Sequence, residues 1–426
     1  MVVYAFKNYS LKSEKCIGMI VLAKEEDCCG CNACVQACPR KCIDMHEDHE
    51  GFFYPHIEQH ICIDCGLCEK VCPVINQGQS RQPLAVFAAK NPNEKVRLLS
   101  SSGGIFSLLS EYVLEKKGVV FGARFDDKWQ VVHDYTEIKE GLSAFRGSKY
   151  VQSYIGNSYW QVKQFLEQGR LVLFSGTPCQ VVGLKKYLFK DYKNLLALDF
   201  ICHGVPSPKV WQIYLDEKVA SESKKKTLFA NHLCDKKNIS HIFFRDKCSG
   251  WKKFSFALTL NLANACEMKK QIRLTDNISE NIYMKGFLND LYLRPSCYNC
   301  PSKCGKSGSD ITLGDFWGIQ KILPYYDDDK GVSAVLIYNS EFLKIVQEII
   351  LENSHRVTYQ EVFVGNSPLE KSPYLHPNRG YFFSLLEEYG VSISINKVLR
   401  KGRCNRLIHQ VINKMKNLIW KQLRKK

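Results

Sequence analysis

Two four-cysteine runs near the amino terminus constrain this chain more than any other feature. The first is Cys28-x2-Cys31-x2-Cys34-x3-Cys38-Pro39 and the second is Cys62-x2-Cys65-x2-Cys68-x3-Cys72-Pro73. Eleven of the 20 cysteines lie in the first 72 residues, five occupy motif-like surroundings (Cys179, Cys202, Cys297, Cys300, Cys304), and four are scattered. The opening MVVYAFKNYSLKSEKC has no apolar core of a signal peptide. Clustered cysteines are then expected to ligate metal in a reducing cytoplasm rather than to form a disulfide scaffold. No apolar run reaches the length of roughly 18 residues that a membrane-spanning helix needs.

A four-iron cubane requires four thiolates converging from different directions. Two-residue gaps let a loop wrap three corners, and the fourth cysteine starts a helix that reaches a second cluster. Both runs reproduce the C-x2-C-x2-C-x3-C-P spacing of dicluster ferredoxins, in which the fourth cysteine serves the other cluster. Cys28, Cys31, Cys34 and Cys72 are therefore expected to hold one 4Fe-4S cluster, and Cys62, Cys65, Cys68 and Cys38 the other. Zinc sites usually show paired C-x2-C knuckles instead. Cys29 and Cys42 are off register and Cys16 lies outside both runs, so these are expected as packed thiols.

With 426 residues, 45% of them hydrophobic, the chain can bury cores for two or three domains. The expected division is a lead-in over 1–20, a dicluster domain over 21–75, a linker over 76–84, a larger domain over 85–380 and a tail over 381–426. The linker is the polar stretch NQGQSRQP. Beyond it, apolar runs such as AVFAA (Ala85–Ala89), GVVFGARF (Gly118–Phe125) and RLVLFSG (Arg170–Gly176) alternate with the helical patterns of Phe106–Lys117 and Asn157–Gly169. The fold class expected is α/β, in the mixed α+β sense: a small ferredoxin-like domain, a mixed-sheet domain and a helical tail.

Several motifs in the larger domain carry chemistry. Ser100-Ser101-Ser102-Gly103-Gly104 precedes a helical pattern, suiting either a phosphate or an ordinary Ser-rich cap. Phe174-Ser175-Gly176-Thr177-Pro178-Cys179-Gln180 leaves the end of an apolar strand, where α/β sheets bind ligands. Cys202-His203-Gly204 closes the next strand. Arg294-Pro295-Ser296-Cys297-Tyr298-Asn299-Cys300-Pro301 is followed by Ser309-Asp310-Ile311-Thr312-Leu313-Gly314-Asp315-Phe316-Trp317-Gly318. Spacing alone would group Cys297, Cys300 and Cys304 with one further cysteine. Cys234, Cys248 and Cys266 have no partners at ligand spacing.

In order, SSGG, GSKYVQS (Gly147–Ser153), SGTPCQ, CHGVPSP (Cys202–Pro208), RPSCYNC and SDITLGDFWG give the chain a resemblance to the coenzyme F420 hydrogenase/dehydrogenase beta-subunit family, in a form with a fused amino-terminal dicluster ferredoxin. The resemblance spans about residues 25–365. It implies a flavoprotein, with FAD against Ser101, Ser102, Gly103, Gly104, Lys149, Tyr150, Gly176, Thr177 and Pro178. It also implies a third 4Fe-4S cluster on Cys179, Cys202, Cys297 and Cys300, with Cys304 spare. His203 would serve as a proton donor, or else as a satisfied turn histidine. Lys149 would face a pyrophosphate or else solvent, and Asp310 and Asp315 would fix loops. The implied activity is an oxidoreductase passing electrons through FAD between a two-electron substrate, coenzyme F420 or another small molecule, and the clusters. A redox partner protein or ferredoxin would complete the path. The alternative is a non-catalytic electron-transfer adaptor for a partner enzyme, in a setting such as surface-polysaccharide synthesis.

The formal net charge of +16 is mostly local. Eleven Lys and Arg lie between Lys397 and Lys426, with no acid after Glu388, leaving about +5 for the rest. Leu407, Ile408, Val411, Ile412, Met415, Leu418, Ile419 and Leu423 repeat with helical spacing. Such a basic amphipathic helix suits an anionic membrane surface, an acidic partner, or packing on its own domain. No helix-turn-helix, finger or basic aromatic patch points to nucleic acid. The expected location is the cytoplasm, either free or peripheral at the inner membrane face.

Overall fold

The two cysteine runs fold as a repeated backbone turn. Gly30 and Asp64 occupy the same place in each run, as do Asn32 and Gly66, and all four adopt positive φ of 65°, 51°, 65° and 68°. Each pair bends the loop back before a short helix, Ala33–Ala37 in the first run and Leu67–Lys70 in the second. Between them β1 (Ile43–Glu47) and β2 (Phe53–Ile57) pair antiparallel. These details come from a computed structural model that describes residues 22, 24–224, 235–262 and 270–400. The lead-in over 1–20 with Cys16, the scattered Cys234, Cys266 and Cys404, and the basic pattern of 401–426 lie outside the described residues.

The larger domain is built on an eight-stranded sheet ordered β13-β3-β12-β11-β7-β6-β4-β5. Its strands are β3 (Ala85–Ala89), β4 (Val119–Phe125), β5 (Val131–Thr136), β6 (Val172–Gly176), β7 (Leu195–Phe200), β11 (Ile311–Asp315), β12 (Ser333–Ile337) and β13 (Ser354–Val357). A separate antiparallel sheet orders β10 (Lys270–Asn277), β9 (Ser255–Leu262) and β8 (Ile239–Asp246). In the main sheet β4, β6, β7 and β11 run parallel, and both flanks turn antiparallel. This is the mixed sheet expected. β3 and β12 are buried at every position, as the apolar run AVFAA and the near-apolar SAVLI require when both faces are covered. The parallel arrangement gathers the carboxyl ends of β6, β7 and β11 on one edge.

The dicluster domain is packed onto the larger one. Ala33, Cys34 and Val71 share a continuous buried cluster with Tyr159, Val162, Val181 and Leu184 from the helices Ser158–Glu167 and Pro178–Leu188. The intervening polar stretch is itself pinned: Arg81 donates from Nε to the Gly305 carbonyl at 3.0 Å and from Nη2 to the Ser309 carbonyl at 2.8 Å. Residues 379–400 form a helix. Its Phe382, Leu386, Val391, Ile395 and Val398 are buried in the cluster that contains Trp211, Tyr283 and Phe256. The part of the tail read from residue 381 to 400 is thus core rather than appendage. No helix among the described residues is long and apolar enough to cross a membrane.

Candidate redox site

In the amino-terminal domain the thiols converge in two groups. Burial pushes the Cys34 thiol up, and the neighbouring Cys28, Cys72 and Cys68 push it further. Cys72 is raised by burial and then by Cys28 and Cys68, against backbone N–H groups that favour its thiolate. Cys28, Cys34 and Cys72 therefore crowd one another, with Cys68 close by, as shared ligation of adjoining clusters demands. Cys38, Cys62, Cys65 and Cys68 line a small cavity together with Cys42. Cys42, expected only as a packed thiol, has its Sγ 3.4 Å from that of Cys38, and burial raises its pKa to about 12. Crowded thiols held up in this way become good thiolates only when a metal cation replaces their protons, so the donor set fits iron.

A second sulfur-lined cavity lies between the domains, bordered by Cys179, Cys202, Cys297, Cys300, Cys304 and Cys29. Cys179 sits in the first turn of the helix Pro178–Leu188, whose Thr177–Gln180 capping box and leading proline fix its start. Cys202 follows β7, and Cys297 and Cys300 belong to the turn around Pro295–Asn299. Burial raises Cys202, which then feels Cys297, Cys179 and Cys300. Cys297 is pushed to about 12 by burial, then by Cys300 and Cys179. Cys304 instead donates toward the Glu370 carbonyl, with Sγ 3.8 Å from the oxygen. Cys179, Cys202, Cys297 and Cys300 thus feel one another's charge, Cys29 bonds to Cys179, and Cys304 lines the same cavity while bonding toward Glu370. Among the described residues no three His, Cys, Asp or Glu side chains close around one point as for a single metal ion. A cubane spreads its thiolates around a box.

A cavity of about 590 Å³ opens at the carboxyl ends of β6, β7 and β11. That size is ordinary for a ligand site. Ser101, Ser102, Gly104, Lys149, Tyr150, Gly176 and Thr177 line it. Gly103 does not: a Cβ there would sit 2.4 Å from the Ala89 carbonyl oxygen and 2.6 Å from Ser333 N. Its role is close packing of the loop on β3 and β12. Pro178 also lies off this cavity and lines the sulfur-lined one. The start of the helix Ile105–Glu115 borders this cavity, and a helix amino terminus favours an anion. Among the described residues Lys149 donates to the Arg146 and Gly147 carbonyls, at 3.1 and 3.2 Å, and burial depresses its pKa to about 7. On the opposite wall Arg245 pairs with Asp315, 2.8 Å from Nη1 to the carboxylate, and packs its guanidinium over Phe254. Its buried Nε has no partner among the described residues. An unused buried donor and a carboxylate-free lysine on one cavity are what an anionic cofactor such as FAD would satisfy.

Ile201, Cys202, His203, Gly204 and Val205 line both this cavity and the sulfur-lined one. His203 Nε2 lies 2.6 Å from Asp290 Oδ1, and its ring meets Phe287 edge-on. Asp290 stands at φ 57°, a left-handed conformation that aims its carboxylate at the histidine. Asp310 and Asp315 tie loops, as expected: Asp310 Oδ2 accepts from Ala197 N at 2.7 Å, and Asp315 Oδ1 from Trp251 Nε1 at 2.9 Å. The sequence assigned no site role to Cys29, Arg245, Asp290 or Arg294. Only Cys29, beside a ligand-type cysteine, and Arg294, at the head of the RPSCYNC motif, carried any local signal.

A model of the carboxyl-terminal region of the coenzyme F420 hydrogenase/dehydrogenase beta subunit matches residues 169–361, and one of the 4Fe-4S dicluster domain matches residues 27–76. A Ferredoxin 7Fe of Hydrogenibacillus schlegelii is 47% identical over 51 residues, covering 12% of this chain and 59% of that protein. The coenzyme F420-dependent sulfite reductase of Methanocaldococcus jannaschii is 25% identical over 209 residues, covering 47% of this chain. The match spans only 32% of that reductase. A chain of the F420-reducing [NiFe] hydrogenase complex from Methanosarcina barkeri, in a xenon-derivatised form, aligns over 75% of this chain and 91% of its own length. Its TM-score is 0.42 at 16% identity. The chain accordingly joins a region that matches the 4Fe-4S dicluster domain to a region that matches the carboxyl terminus of the coenzyme F420 hydrogenase/dehydrogenase beta-subunit family.

Proposed function

We propose that this chain is an iron–sulfur flavoprotein oxidoreductase moving electrons between a two-electron small molecule and its 4Fe-4S clusters. The observation that carries this reading is the shared wall of residues 201–205 between the large cavity and the four-cysteine cavity. A flavin takes up two electrons together and releases them singly, the conversion needed between such a substrate and iron–sulfur clusters. In this reading Ser101, Ser102, Gly104, Lys149, Tyr150, Gly176 and Thr177 hold FAD, Gly103 and Pro178 shape the loops that carry them, and Arg245 supplies a further donor. Cys179, Cys202, Cys297 and Cys300 hold a third cluster. Cys28, Cys31, Cys34 and Cys72 hold the nearer of two outer clusters, and Cys62, Cys65, Cys68 and Cys38 the farther.

The remaining residues shape the path. His203, fixed by Asp290, stands at the meeting of the two cavities and handles a substrate proton. Cys29 bridges from the first run toward Cys179. The domain limits follow: clusters within residues 21–75, a docked strap over 76–84, and the cofactor domain over 85–380. Coenzyme F420 enters as a substrate through the names of the relatives, and a soluble redox protein as the partner. The test is anaerobic bleaching of the holoprotein, comparing reduced coenzyme F420, NADH and reduced ferredoxin. Rapid bleaching by one of them, abolished in His203→Asn with cofactors retained, supports the reading. Failure of all three to change the visible spectrum contradicts it.

A further inference from the structure

Three buried arginines sit near the sites described, and two of them are matched by acids. Arg97 pairs with Asp328 and Arg245 with Asp315. The third, Arg294, is the most buried at 1% exposure, and forms no ion pair among the described residues. Its partners are all neutral: Nε donates to the Cys28 carbonyl at 2.7 Å, Nη1 to Gln152 Oε1 at 3.0 Å, and Nη2 to the Phe53 carbonyl at 2.9 Å. The guanidinium also lies 4.4 Å from the Tyr54 ring centroid. A buried charge without a counter-charge is costly, so its compensation has to come from something nearby.

What surrounds Arg294 is sulfur. Its side chain grips the backbone of Cys28, a ligand-type residue of the first run. Its own carbonyl accepts from Cys297 N at 2.9 Å, starting the turn that carries Cys297 and Cys300. Gly30, inside the first run, has no room for a side chain because its Cβ would lie 2.8 Å from Arg294 Nη1. One residue therefore spans both sulfur sites.

We infer that Arg294 is a positioning and potential-setting residue: its buried cation is the counter-charge of the iron–sulfur centres on either side of it, and it favours their reduced forms. The inference rests on the metal-bound state of the reading above, but it needs only the cluster of the first run. Adding one electron to a thiolate-held cluster, from a chemical reductant such as dithionite, adds one negative charge and breaks no bond. A fixed cation beside it stabilises the product, so the midpoint potential rises. Arg294 also holds the dicluster domain in register with the turn of Cys297 and Cys300.

The test is an electron-paramagnetic-resonance redox titration of the anaerobically purified full chain and of Arg294→Gln and Arg294→Lys, with iron quantified in each. Arg294→Gln with wild-type iron should be reduced at least tenfold less favourably at one centre, a fall of about 59 mV for one electron. Arg294→Lys, which keeps the charge but loses the fork, should hold the midpoint much closer to wild type. An unchanged midpoint in Arg294→Gln, at full iron content, overturns the inference. Should Arg294→Gln lose iron, Arg294→Lys decides: a drop of tenfold or more at full iron overturns it, and a retained midpoint supports it. If the wild-type chain proves to hold only two clusters and no flavin, the proposed function fails, while the midpoint comparison at the first-run cluster still stands or falls alone.

Discussion

Lys149 offers the sharpest prediction about the large cavity, because its charge depends on what fills that cavity. The ammonium faces the cavity wall with two carbonyl partners among the described residues, and burial lowers its pKa from 10.5 to about 7. The charged form is thus disfavoured in the folded, unliganded protein and favoured in the unfolded chain. Between about pH 7 and pH 10 the unfolded chain binds more protons, so the empty protein gains stability as pH rises through that window. An anionic ligand reverses the preference and draws a proton onto Lys149 as it binds. Its affinity should then fall as pH rises above 7, approaching tenfold per unit, or about 50-fold from pH 7 to pH 9. Lys149→Met should remove that slope and weaken binding at pH 7 by about 10- to 150-fold, the worth of a hydrogen bond to a charged group. The assay is fluorescence quenching of FAD titrated into flavin-depleted protein across this pH range. A pH-independent affinity in the wild type, or the same slope in Lys149→Met, refutes the assignment of Lys149 as the anion-facing cation.

Three further outcomes follow from the geometry. Cys297→Ser should lose about a third of the iron and leave the amino-terminal clusters intact, whereas Cys304→Ser should keep full iron content, because Cys304 turns toward Glu370; equal losses in the two variants would count against the ligand set. Arg379→Ala should destabilise the fold by about 3–5 kcal/mol, since it strands Glu50 of the dicluster domain as a buried unpaired carboxylate. Thermal melting checks this, and Glu50→Gln in the same chain should recover part of the loss. Asp199 is buried and its pKa is raised to about 6, with burial outweighing its hydroxyl partners. A raised carboxyl contributes stability at low pH that is lost as pH climbs through 6, about 3 kcal/mol in all. Asp199→Asn should flatten that pH dependence of stability between pH 4 and pH 7, and an unchanged slope would show that Asp199 is not its source.

The parts of the molecule legible in the sequence are those set by short-range rules. Cysteine spacing specifies a ferredoxin loop because the loop itself wraps the cluster, and the apolar runs of β3, β4, β6 and β7 need both faces covered wherever they pair. Ser101, Gly104, Gly176 and Thr177 were legible as cavity-lining residues because a helix start or a strand end borders the cavity itself. Gly103 looks like its neighbours, but its missing side chain makes room for the backbones of β3 and β12. The contacts of Arg245 with Asp315, Asp290 with His203 and Arg294 with Cys28 could not be read locally, because each joins residues tens to hundreds of positions apart. The helical period of residues 381–400 announced a helix without saying which core Phe382 and Val391 would enter. The strap of residues 76–84 read as a free linker, since nothing local reveals that Arg81 would be held by the carbonyls of Gly305 and Ser309.

The central claim is that three sulfur sites and one flavin share this chain, and their stoichiometry tests it most directly. Anaerobically purified protein should carry about twelve iron and twelve sulfide per chain, from three four-iron clusters, together with one FAD. Eight iron with no flavin would contradict the claim and leave an electron-carrying adaptor in its place.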